Sequence, residues 1–117
     1  MSDSKPVVDW DLARENTNDD AALLSELVTA FLTEGPANMQ SIRRAIAAHD
    51  GKALRLAAHT LKGSLRIFGS ECARDLAEAL ELKGQQGQTT GIEALTAELQ
   101  QQLDAVLTAL AAGEKRP

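Results

Sequence analysis

The chain has no tyrosine, one tryptophan, two phenylalanines and one cysteine among its 117 residues. With Cys72 alone, no intrachain disulfide can form and a Cys₂ or Cys₄ zinc site is excluded. Cys72 is expected as a small buried or half-buried side chain. No apolar run approaches the roughly 18–20 residues that span a bilayer. The start, Met1-Ser-Asp-Ser-Lys-Pro6, lacks the basic opening and apolar stretch of a signal peptide. No membrane insertion and a cytoplasmic location are therefore expected. Positive charge is also in deficit, with 12 Lys and Arg against 17 Asp and Glu, a net −5. Phosphate-backbone binding needs a basic footprint, so no nucleic-acid partner is expected.

What remains is rich in Ala and Leu, the best helix formers, while the residues that favour strands are scarce. The length fits one domain with a single core. Residues 1–7 and 113–117 are polar and aperiodic and are expected as disordered tails around a domain at 8–112. Within it, Val8–Glu15 predicts a short first helix. Asn18, Asp19 or Asp20 can cap the next, whose stripe is Leu23, Leu24, Leu27, Val28, Phe31 and Leu32. Gly35-Pro36 is expected to break that helix, with Pro36 in the first turn of another carrying Met39, Ile42 and Ile46. His49-Asp50-Gly51 ends it, and Asp50 caps a helix running to about Phe68. Glu71–Lys83 follows, then a polar loop from Gly84 to Gly91, then a last helix over Ile92–Ala111. Short links between amphipathic helices favour antiparallel neighbours. The expected fold is all-α, an antiparallel up-and-down four-helix bundle with one or two short additional helices.

Chemistry concentrates on the helix over 52–68. Leu54, Ala58, Leu61, Leu65 and Phe68 share one side and are core. His59 lies roughly 140° around from them and faces solvent. Arg55, Lys62 and Arg66 flank it at i−4, i+3 and i+7, with Lys52 one turn further back. An acidic chain has thus gathered four cations around one histidine. Neutral imidazole is a nucleophile, nearby cations disfavour protonation in general, and they stabilise an arriving phosphoryl group. Gly63 costs about 1 kcal/mol inside a helix relative to Ala. It either lets a neighbouring helix approach or clears space for a partner over the imidazole. Leu56, Thr60 and Ile67 lie on the flank beside His59 and Gly63, either buried against a helix or forming an apolar docking patch. His49 is expected at a helix end beside Asp50. Two histidines without a ligand pattern make no metal site, and no phosphate loop is present, so neither a resident metal nor an ATP site is expected.

The run His59-Thr60-Leu61-Lys62-Gly63-Ser64-Leu65-Arg66-Ile67-Phe68-Gly69 resembles the signature of the histidine-containing phosphotransfer (HPt) family, H-x-L-K-G-[SA]-x-x-x-x-G. Val8-Asp9-Trp10, a helix with Phe31, and Leu80-Glu81 after the motif match the family's layout. Leu65-Arg66-Ile67-Phe68 is bulkier than the small residues often found there. The resemblance implies that His59 accepts a phosphoryl group on its outer ring nitrogen, that Lys62 lies near the phosphate, and that Gly63 clears space. Arg66 as a phosphate-stabilising residue, and Lys52, Arg55, Leu56, Thr60 and Ile67 as docking residues, follow from helix geometry instead. The implied function is a phosphocarrier, not an enzyme, relaying phosphoryl groups between aspartates of response-regulator receiver domains. The receiver would supply the divalent metal, and the chain itself needs no cofactor. Both a free-standing protein and a domain of a hybrid sensor histidine kinase fit, and a monomer is the default. The competing reading is a helical interaction module that binds a receiver or kinase partner without transferring phosphate. Intact His59 and Lys62 argue against it.

Overall fold

A computed structural model describes residues 6–114. Five α-helices follow one another: α1 (Trp10–Asn16), α2 (Ala21–Ala47), α3 (Gly51–Ile67), α4 (Glu71–Gln86) and α5 (Ile92–Ala112). Three start on an aspartate. The side chains of Asp9, Asp20 and Asp50 accept from the amides of Leu12, Leu23 and Ala53 at 3.1, 3.0 and 3.0 Å. Each satisfies a first-turn N–H that has no carbonyl within the helix. The long helices contact one another in the cycle α2–α3–α4–α5–α2, which closes a four-helix bundle, with short α1 resting on α2 and α3. Leu61, Leu65, Leu80, Leu99 and Leu103 are fully buried along its axis.

The expected break at Gly35-Pro36 is not there. α2 runs unbroken for 27 residues, and Phe31, Gly35, Met39, Ile42 and Ala45 form one buried stripe through the proline. Pro36 lies on the exposed side. Gly35 serves packing: a Cβ there would come within 3.0–3.3 Å of the Phe31 ring, which itself tilts against Phe68 at 5.5 Å. Tertiary burial on both sides of Pro36 outweighs the lost hydrogen bond.

The second difference concerns Gly84, expected to open a loop. It is helical and buried, and α4 continues to Gln86, where Gly87 ends it in the left-handed conformation at φ 66°. Gly84 and Gly51 meet backbone to backbone. A Cβ on either would lie 2.6–2.7 Å from the other's carbonyl oxygen. That close approach makes α3–α4 the most extensive contact of the bundle.

At the ends, Ser70 Oγ donates to the Val7 carbonyl at 2.6 Å, and Glu114 forms an ion pair with Arg14. Both residues, assigned to tails on sequence grounds, are thus tied to the bundle. The tail assignments for 1–5 and 115–117 lie outside the described residues. Among the described residues no helix is long and apolar enough to cross a membrane.

Candidate functional site

The Gly51–Gly84 crossing fixes the register of α3 against α4, and so decides what faces His59. One turn back along α4 from Gly84 stands Glu81. Its Oε2 lies 2.9 Å from His59 Nδ1 and its Oε1 lies 2.7 Å from Lys62 Nζ. One carboxylate thus holds both motif side chains. The Lys62 and Glu81 side chains are each 14% exposed, whereas that of His59 is 63% exposed. Burial works against ionisation of Glu81. Lys62 and then His59, through contact and charge, outweigh it and hold the carboxyl below its ordinary range.

An ionised Glu81 is an acceptor only, so the neutral imidazole donates from Nδ1–H. Nε2 then carries the free lone pair, on the outward side of the ring. A carboxylate behind Nδ1 also stabilises positive charge that develops on the ring when Nε2 forms a bond. The site is therefore an oriented, solvent-facing nitrogen nucleophile with its counter-charge placed behind it.

The cations divide into two kinds. Lys62 is committed to Glu81. Lys52, Arg55 and Arg66 make no ion pair among the described residues, and Lys52 and Arg66 are exposed. Gly63 is exposed, and a Cβ there would meet nothing within 4 Å. Helix packing therefore does not require this glycine. Leu56 is 49% exposed, the highest value among the large apolar side chains of the described residues. Thr60 is exposed, and its hydroxyl donates to the Leu56 carbonyl at 3.0 Å. Ile67 differs: it is half-buried against the core, and its carbonyl accepts from Asn16 of α1 at 3.0 Å. His59, Gly63, Leu56 and Thr60 share one open face, and Ile67 stands at the edge covered by α1. Cys72, expected buried or half-buried, is exposed in the first turn of α4, whose core face is Ala73, Ala77, Leu80 and Gly84. No three His, Cys, Asp or Glu among the described residues converge as a metal-binding group.

In the sequence Glu81 stands out only as part of the Leu80-Glu81 match. A signal for it exists. His59 and Glu81 each lie eleven residues from Ser70, and two helices folded antiparallel about a turn bring such mirror positions level with each other.

The bundle thus presents a solvent-facing histidine held by a carboxylate and flanked by cations that make no ion pair among the described residues. The family model for the Hpt domain matches residues 26–113. The chain belongs to the Hpt domain family, whose role is histidine phosphotransfer in phosphorelay signalling, as carrier and not as enzyme. Among solved structures, histidine-containing phosphotransfer protein B from Pseudomonas aeruginosa PAO1 superposes with a TM-score of 0.85 at 21% identity, over 93% of this chain and 95% of that one. At that identity the likeness concerns the fold. No curated protein sequence matches.

Proposed function

We propose that the chain relays phosphoryl groups between aspartates of response-regulator receiver domains through His59 Nε2. The observation that carries this reading is the 2.9 Å contact between His59 Nδ1 and Glu81, which leaves Nε2 as the nucleophilic nitrogen on the open face. The Nε2 lone pair attacks phosphorus of an aspartyl phosphate in line. The P–O bond to the aspartate breaks, and the aspartate leaves as a carboxylate. The new N–P bond makes the ring cationic, with its proton still on Nδ1 and directed at Glu81. Return transfer runs the same bonds backwards to an aspartate on the same or another receiver.

The residues divide the work by position. Glu81 orients the ring and balances its charge. Lys62 keeps that carboxylate ionised and stands one turn from the phosphoryl group. Arg66, Arg55 and Lys52 offer charge complementarity to the acidic receiver site, which mainly speeds encounter. Gly63 clears space for the receiver, and Leu56 and Thr60 give it an apolar and a hydroxyl contact. The receiver contributes the divalent metal. The carrier needs no ATP, and a hybrid sensor histidine kinase is a fitting upstream source of phosphate.

Phosphoryl transfer from a panel of phosphorylated receivers, wild type beside His59→Gln, tests the proposal. Acid-labile, alkali-stable label on wild type alone is the expected result. If no receiver in a broad panel transfers label while binding persists, the non-transferring interaction module takes its place.

A further inference from the structure

The molecule has a second open surface, at the end of the bundle away from the Gly51–Gly84 crossing. α2 is about 40 Å long, against about 31 Å for α5 and about 25 Å for α3, at 1.5 Å per residue. Its buried residues begin only at Phe31, so ten N-terminal residues contribute nothing fully buried to the core. That stretch is nevertheless apolar, with Leu24, Leu27 and Val28 partly buried against the core. Leu24 and Val28, with Trp10 of α1 and Leu110 of α5, line a groove between the three helices, and Leu23 beside it is 39% exposed. Asp19, Asp20 and Glu114 stand on its rim, where Arg14 bridges Glu114 to Asp11.

Charge identifies the occupant. From Pro6 to Ile42 the chain carries seven carboxylates and a single cation, Arg14. From Arg43 to Arg66 the balance reverses to six cations and one carboxylate. The groove itself is lined by three carboxylates, Asp19, Asp20 and Glu114, against one cation, Arg14, so its rim is acidic, while the His59 face is basic. An acidic rim repels nucleic acid and anionic membrane surfaces, and an apolar floor gains little from a purely polar chain.

We infer that this groove takes a basic amphipathic helix of a partner protein, whose apolar side covers Trp10, Leu24 and Val28 while its Lys or Arg side chains meet Asp19 and Asp20. Arg66, the cation of the transfer face nearest this end, is about 10 Å along α3 from His59. A partner held in the groove leaves the imidazole open. The groove is thus a tether, separate from the transfer face and independent of whether His59 carries phosphate.

Trp10 is the one tryptophan of the chain, so its fluorescence reports the groove directly. The probe is a synthetic 18-residue helical peptide of Leu and Lys with the leucines on one side. Titration should shift Trp10 emission to the blue and saturate at one peptide per protein. Asp19→Lys should weaken binding about tenfold. Asp19→Asn, which suits the left-handed backbone at φ 58°, should weaken it about threefold. Glu98→Lys, the same charge change on exposed α5 further from the groove, should leave it within about twofold. Equal weakening by Asp19→Lys and Glu98→Lys would reduce the effect to net-charge attraction and overturn the proposal. So would a saturating titration that leaves Trp10 emission unmoved. Sedimentation showing a wild-type dimer that Asp19→Lys dissociates would make the occupant a second copy of the chain and likewise overturn it.

Discussion

Replacing Gly63 by alanine separates two reasons for a glycine inside a helix. A Cβ at this position meets nothing within 4 Å, and the residue has ordinary helical backbone in the interior of α3. The substitution therefore adds no clash and gains helix propensity, about 0.5–1 kcal/mol. For a domain near 100 residues, 1 kcal/mol moves Tm by roughly 4–8 °C, so Gly63→Ala should melt about 2–8 °C higher. The same methyl stands one turn from His59, where a receiver must close over the ring. An extra methyl in a close-packed contact typically costs about 1–3 kcal/mol, so transfer should slow about fivefold or more. Circular dichroism melts and the rate of label transfer from a phosphorylated receiver measure the two effects on one preparation. A lower Tm would show that Gly63 packs against a neighbour. Unchanged transfer would show that the glycine has no part in access.

Glu81→Gln keeps an acceptor for Nδ1–H but removes the charge, and a hydrogen bond to a charged group is stronger by about 1 kcal/mol; transfer measured by label should slow about three- to tenfold. Because the folded Glu81 carboxyl titrates below its ordinary value of 4.5, its contribution to stability is present above that pH and is lost as pH falls through the lower folded value. Urea unfolding midpoints of Glu81→Gln should consequently fall less steeply below pH 4.5 than those of wild type, and parallel curves would refute the assignment. Leu61 is fully buried, so Leu61→Ala should lower unfolding free energy by about 2–5 kcal/mol in denaturant titrations. Leu56→Asp should weaken receiver docking in a binding titration with little change in Tm, because nearly half of Leu56 is open to solvent; a large fall in Tm would place Leu56 in the core.

Helix positions and core faces were legible in the sequence because period and caps are local. The stripe from Leu54 to Phe68 and the cap at Asp50 needed only spacing and side-chain chemistry, and both are in place. The two misread helix boundaries fall at residues with two uses. Gly35-Pro36 reads as a breaker, yet Phe31, Gly35, Met39 and Ile42 stay in phase across it, and an in-phase stripe signals one helix. Gly84 reads as a loop, yet its bare Cα is what lets α4 touch the backbone of α3. The motif histidine, lysine and glycine were visible as a pattern. Glu81 was not, because its role depends on the register between two helices, which the Gly51–Gly84 contact sets. The separate assignment of Lys62 to phosphate also needed that register, since its Nζ is engaged by Glu81 in the unphosphorylated protein.

The central claim is that His59 presents Nε2 while Glu81 holds Nδ1–H. Long-range proton–nitrogen NMR of the imidazole, recorded before and after transfer from a phosphorylated receiver, tests it most directly. The account predicts a proton on Nδ1 in both spectra and phosphorus coupling at Nε2 after transfer. A proton on Nε2 in the free protein, or phosphorus bonded to Nδ1, would contradict it.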